Sequence, residues 1–213
     1  MFSRRHPFLF SLLVFSALFS ATLILVSLIV AIGMRGADLG GLGIDDGEKV
    51  GVVEIVGVIA QSRDIIEQLK RFREDDAIRA IVIRVDSPGG VVGPSQEIYR
   101  EIIRTKADKK VIASMGAVAA SGGYYVVAGA DGIVANPGTI TGSIGVIMEY
   151  TNFQELFDKI GLSPVVIKSG QFKDAGSPVR EMTPEERQLL KDFVDRLHQH
   201  FVSAIAEGRQ LDL

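Results

Sequence analysis

Apolar residues recur along this chain in three rhythms, and each predicts a different kind of element. From Phe8 to Met34 no charged residue interrupts a run rich in Leu, Val, Ile, Phe, Ala and Ser. Such a run reads as a membrane-crossing helix, because a hydrocarbon core about 30 Å thick needs roughly 20 apolar residues in a helix, whereas a cleaved leader carries an apolar region of only about 7 to 15. Arg4 and Arg5 precede the run, and Asp38, Asp45 and Asp46 dominate the segment after it despite Arg35. The positive-inside tendency therefore predicts a cytoplasmic N-terminus at 1–7, an anchor at 8–34 and a main domain outside the cytoplasmic membrane. Residues 35–48, with their repeated Gly and Asp, read as a flexible linker.

The second rhythm starts at Lys49. Val50–Ile59 is a β-branched run of strand length, and Ile78–Val85 and Lys110–Met115 repeat the pattern. Between them lie amphipathic stretches. Ser62 is placed to cap a helix running to about Arg73 with Ile65, Ile66, Leu69 and Phe72 on one face, and Pro94-Ser95 opens a second carrying Ile98, Ile102 and Ile103. Strands alternating with helices predict an α/β domain with parallel strands over 49–213. Farther on, Gly122–Ala130 reads as a helix of small and aromatic residues and Gly132–Ala135 as a short strand.

The third rhythm is a long amphipathic helix. Thr183-Pro184-Glu185-Glu186 combines a capping residue, a proline at the first helical position and a glutamate able to reach back. Leu189, Leu190, Phe193, Val194, Leu197, Phe201, Val202 and Ile205 then form one apolar face, suited to a core or a subunit interface.

Composition narrows the function. The net charge is −3 and no Lys/Arg block, zinc-ligand spacing or aromatic RNA signature appears, so nucleic acid is not an expected partner. With no cysteine, disulfides are excluded; with no phosphate-binding glycine loop of the Walker type, no nucleotide, metal or other cofactor is expected.

The candidate chemistry lies in two glycine turns, Asp86-Ser87-Pro88-Gly89-Gly90 and Ala119-Ala120-Ser121-Gly122-Gly123. The first ends a buried strand, where α/β folds place their sites. The second puts a serine at a helix N-terminus, where free N–H groups and the helix dipole favour an oxyanion. Serine at such a place is also an ordinary helix cap. The three histidines, His6, His198 and His200, lie far from both turns in sequence, so a nucleophilic serine here calls for a lysine base.

Four ordered motifs carry a family resemblance: Asp-Ser-Pro-Gly-Gly at 86–90, Ala-Ala-Ser-Gly-Gly-Tyr-Tyr at 119–125, Thr-Gly-Ser-Ile-Gly-Val at 141–146 and Lys-Ser-Gly-Gln-Phe-Lys-Asp-Ala-Gly-Ser-Pro at 168–178. Together they resemble the signal peptide peptidase A (SppA) family, in its short single-domain form. The resemblance implies a Clp protease/crotonase-like fold behind an N-terminal transmembrane helix. It makes Ser121 the nucleophile, Lys173 the general base and Ser143 the hydroxyl that orients the lysine, with the Gly90 and Gly122 amides as the oxyanion hole. A lysine base must be neutral, yet a free lysine with a pKa near 10.4 is neutral in only about one molecule in 10³ to 10⁴ at pH 7, so burial is required. Asp174 beside Lys173 is the obvious threat to that neutrality, and Lys168 is the fallback base.

The implied activity is a membrane-anchored Ser/Lys endopeptidase acting on signal peptide remnants and other short apolar peptides, assembled as a homo-oligomer in which serine and lysine come from one subunit or from two. A crotonase-type acyl-CoA enzyme and a non-catalytic membrane scaffold are the rival readings. Family members continue past the position of Leu213, so the domain reads as truncated at its C-terminus.

Overall fold

The computed structural model describes residues 7–36 and 47–212. The chain divides into two units, Met1–Gly47 and Glu48–Leu213. In the first, helix α1 spans Pro7–Gly36. Its described side chains, Phe8 and residues 15–28, are exposed. Among the described residues no helix is long and apolar enough to cross a membrane. Residues 1–6, and 37–46 of the expected linker, lie outside the described residues.

The second unit is built on a parallel sheet. Strands β1 (Lys49–Val56), β2 (Ile78–Ser87), β3 (Lys110–Ala120) and β4 (Gly132–Val134) lie in that order, and β5 (Ile140–Gly142) pairs with the far end of β3. Helices α2 (Arg63–Glu74), α3 (Val92–Thr105) and α4 (Gly122–Ala128) connect the strands, followed by the short α5 (Gln154–Lys159) and the long α6 (Pro184–Arg209). Inward residues of three strands, such as Ile55, Ile83, Val85 and Ala113, pack on Leu69 of α2, Ile98 and Ile102 of α3 and Val126 and Val127 of α4. Each buried aliphatic side chain of this kind contributes about 1.5–3 kcal/mol.

A smaller cluster docks α6. Phe201 stacks on Tyr125 with ring centroids 4.7 Å apart, and Tyr125 meets Tyr99 edge to face at 5.2 Å. The Tyr99 hydroxyl donates to the Ala204 carbonyl at 2.9 Å, and burial pushes its pKa up to about 12. The predicted capping box is present: the Thr183 hydroxyl accepts from the Glu186 amide at 3.2 Å, and the Glu186 carboxylate accepts from the Thr183 amide at 3.0 Å. Only the C-terminal half of the apolar face of α6 is buried; Leu189 and Phe193 stay exposed.

Several boundaries differ from expectation for local reasons. β1 ends at Val56 rather than Ile59, because Gly57 turns with a positive φ and Ile59 instead bridges to Gly90. Helix α3 starts at Val92, two residues before Pro94, whose missing N–H costs nothing in a first turn. Ser62 precedes α2 but makes no capping bond; its hydroxyl donates to the Glu97 carboxylate. β3 continues past Met115 to Ala120 by way of a bulge, and α4 and β4 stop at Ala128 and Val134.

Candidate active site

The bulge in β3 is what brings the two glycine turns together. On β2, Val85 pairs with Met115, but Ser87 already pairs with Ala119, so β3 carries two more residues than its partner over this stretch. The freed groups are taken up by side chains. Asp86 Oδ1 accepts from the Val118 amide at 3.1 Å, and the Thr139 hydroxyl donates to the Gly116 carbonyl at 2.9 Å. The carboxyl ends of β2 and β3 thereby emerge side by side.

β2 leads into the first turn, where the buried Ser87 hydroxyl accepts from the Gly89 amide at 3.1 Å. β3 leads into Ser121, whose backbone adopts φ 50° and ψ −122°, a sparsely populated conformation for a residue with a side chain. Such a conformation costs on the order of 1–3 kcal/mol and persists only where its surroundings impose it. Here the Ser121 amide donates to the Gly142 carbonyl of β5 at 2.8 Å, and its carbonyl accepts from Tyr125 at 2.9 Å. The Ser121 side chain makes no capping bond to α4. The ordinary helix-cap reading therefore fails, and the hydroxyl is left for other work.

Gly122 begins α4 and has no preceding helical carbonyl to bond. The Gly90 amide donates no hydrogen bond among the described residues. A methyl group built on Gly122 would stand 3.1 Å from the Gly90 nitrogen and 2.6 Å from the Ser95 hydroxyl oxygen. The Gly90 nitrogen and Gly122 are thus close neighbours at the turn that carries Ser121. Both line a narrow cleft with Ser121, walled on its apolar side by Val92, Tyr125, Val146, Leu197 and Phe201. Sequence reasoning assigned Leu197 and Phe201 to core or interface and gave Asp86 and Ser95 no role in the site. Only the packing of α6, the bulge and the α3 N-terminus shows what they do.

The lysine side is arranged differently. Ser143 follows Gly142 directly, exposed and with φ 53°, and its hydroxyl forms no hydrogen bond among the described residues. Lys173 is exposed, and its ammonium has no hydrogen-bond or ion-pair partner among the described residues, Ser121 included. Neither residue lines the Ser121 cleft. The fallback base, Lys168, is committed as a donor, to Asp174 at 2.5 Å and to the Gln171 carbonyl at 2.9 Å. The Asp174 carboxylate accepts from Lys168 and from Arg180, whose Nε donates to it at 2.9 Å, and makes no ion pair with Lys173 among the described residues. Hydrogen bonds from Arg180 and then Lys168 hold its carboxyl well below the usual carboxylate range. No group of three or more His, Cys, Asp or Glu that could hold a metal ion occurs among the described residues.

A parallel α/β domain with a strained serine beside free amides at the carboxyl ends of its strands is of the Clp protease type, and the Clp protease family model matches residues 53–140. The model of peptidase family S49 matches residues 103–213, and the chain belongs to that family of serine peptidases. A Synechocystis sp. protein named by inference a protease is 43% identical over 166 residues, covering 77% of this chain and 60% of its own length. An Enterococcus faecium protein named by inference a signal peptide peptidase is 38% identical, covering 70% of this chain and 44% of its own length. The chloroplastic serine protease SPPA of Arabidopsis thaliana is also 38% identical, over 70% of this chain and 22% of its own length.

Proposed function

We propose that the chain is the catalytic part of a membrane-anchored endopeptidase that degrades signal peptide remnants and other short apolar peptides, with Ser121 as nucleophile and Lys173 as base. The observation that carries this reading is the strained, uncapped Ser121 beside the Gly90 and Gly122 amides in an apolar cleft. The uncharged run at 8–34 holds the domain at the outer face of the cytoplasmic membrane, where cleaved leaders remain.

In the reaction, neutral Lys173 Nζ takes the Ser121 Oγ proton as Oγ bonds to the peptide carbonyl carbon. The Gly90 and Gly122 N–H groups hold the oxyanion that forms. The ammonium then protonates the leaving nitrogen, the C–N bond breaks and an acyl-enzyme remains. Water, deprotonated by the same amine, releases the carboxylate and restores Ser121. Ser143 satisfies the amine without adding charge, which keeps it neutral.

Lys173 meets Ser121 across a contact between copies of the chain. The segment between β5 and α6 that carries it exposes Ile147, Val165 and Ile167 at 89%, 86% and 97%, an apolar surface suited to self-association. Burial in that contact supplies the desolvation a lysine base needs. Mixing inactive Ser121→Ala and Lys173→Ala chains tests this: peptidase activity returns on mixing. A Lys173→Ala chain with full activity contradicts the assignment of the base.

A further inference from the structure

Arg180 divides its guanidinium between the loop that carries Lys173 and the start of α6. Nε donates to Asp174 Oδ2 at 2.9 Å and Nη2 to the Asp174 carbonyl at 3.2 Å; Nη1 donates to the Glu181 carbonyl at 2.9 Å and to Glu186 Oε2 at 2.8 Å; Nη2 also bonds Glu186 Oε1. All five N–H groups of an arginine are thereby used, in a planar fork that lysine cannot reproduce. The two carboxylates are largely buried, at 15% and 3% exposure, and Arg180 itself is 29% exposed. One end of this clamp is the residue next to Lys173; the other is the capping box of α6, the helix that brings Leu197 and Phe201 to the Ser121 cleft.

The clamp also balances charge. Lys168 and Arg180 face Asp174, and Arg180 faces Glu186, so two cations meet two carboxylates. The other charged side chains at this end of α6 are Glu181, Glu185 and Arg187, all exposed, and Glu181 and Arg187 line the neighbouring cavity. We infer that Arg180 is a positioning residue for the general base: it holds the Asp174 carboxylate and cancels its charge, so that the adjacent amine stays neutral. This rests on Lys173 being the base.

The test is the pH profile of kcat/KM on an apolar fluorogenic peptide, using the full chain. Arg180→Gln leaves one net negative charge beside Lys173 and frees Asp174 Oδ2, so the acid limb moves up by about one pH unit, a loss of about tenfold below it. Arg180→Gln with Asp174→Asn restores the charge balance and returns the limb toward the parent position. Asp174→Asn alone, which keeps the Arg180–Glu186 pair, moves the limb down and serves where Arg180→Gln does not fold. Limbs that stay in place in these variants, with Lys173→Ala inactive, overturn the role of Arg180 and leave the base intact. An active Lys173→Ala chain overturns the base itself.

Discussion

Gly89 stands directly against the start of α4: a methyl group built on it would lie 2.6 Å from the Gly122 nitrogen and 2.9 Å from Ser121 Cβ. Its φ of 102° is one that side chains rarely adopt. The first glycine turn is thus the surface against which Ser121 and the Gly122 amide, the proposed nucleophile and oxyanion donor, are held. Gly89→Ala must push the two turns apart, and losing a single oxyanion donor typically costs about 10² to 10³ in rate. Steady-state kinetics should show kcat/KM falling by about that factor, with the far-ultraviolet circular dichroism of the sheet and helices retained. A near-parental rate would mean that the turns do not build the hole.

Phe201 joins stability to the cleft. It is buried at 3% exposure, packs on Tyr125 and closes the apolar wall beside Ser121. Phe201→Ala removes a buried aromatic ring, at a cost of about 3–5 kcal/mol, and widens the cleft. Denaturant unfolding should show the loss, and a panel of peptides should show preference moving toward bulkier apolar side chains at the cleaved bond. Unchanged preference would place the substrate side chain elsewhere.

The Glu186 carboxylate gives folding stability a pH dependence of known sign. Hydrogen bonds from Arg180, and then from the Thr183 amide, lower its pKa from 4.5 to about 2. A carboxylate depressed in the folded state stabilises above its unfolded pKa and loses that contribution as pH falls through the folded value. Asp174 acts in the same direction. Melting temperature should therefore drop between about pH 4.5 and 2, and Glu186→Gln should flatten that drop while lowering the plateau near neutrality. Parallel curves for parent and variant would contradict the pairing.

What the sequence shows and what it hides divide along physical lines. Strands with inward β-branched residues, such as Ile81, Ile83 and Val85, and the Thr183–Glu186 capping box are local patterns, and they fold as read. Ser121 was legible as a turn serine between small residues, but that it leaves α4 uncapped depends on a backbone angle imposed by β5. Asp86 was legible only as part of a turn, because its partner, the Val118 amide, exists only once β3 bulges. Ser62 matches the preference for helix caps, yet the nearby Glu97 carboxylate of α3 takes its hydroxyl. The segment around Val165, Val166 and Ile167 has strand-like composition and forms no strand within one chain, since a strand needs a partner to satisfy its backbone.

The central claim is that the Ser121 hydroxyl attacks the acyl carbon. Its most direct measurement is mass-spectrometric mapping of the adduct formed by a serine-directed acylating or phosphonylating peptide probe on the full-length chain. The account predicts one adduct per chain, on the tryptic peptide that contains Ser121, and none after Ser121→Ala. An adduct on another serine, or labelling that persists at the parental rate in Ser121→Ala, contradicts it.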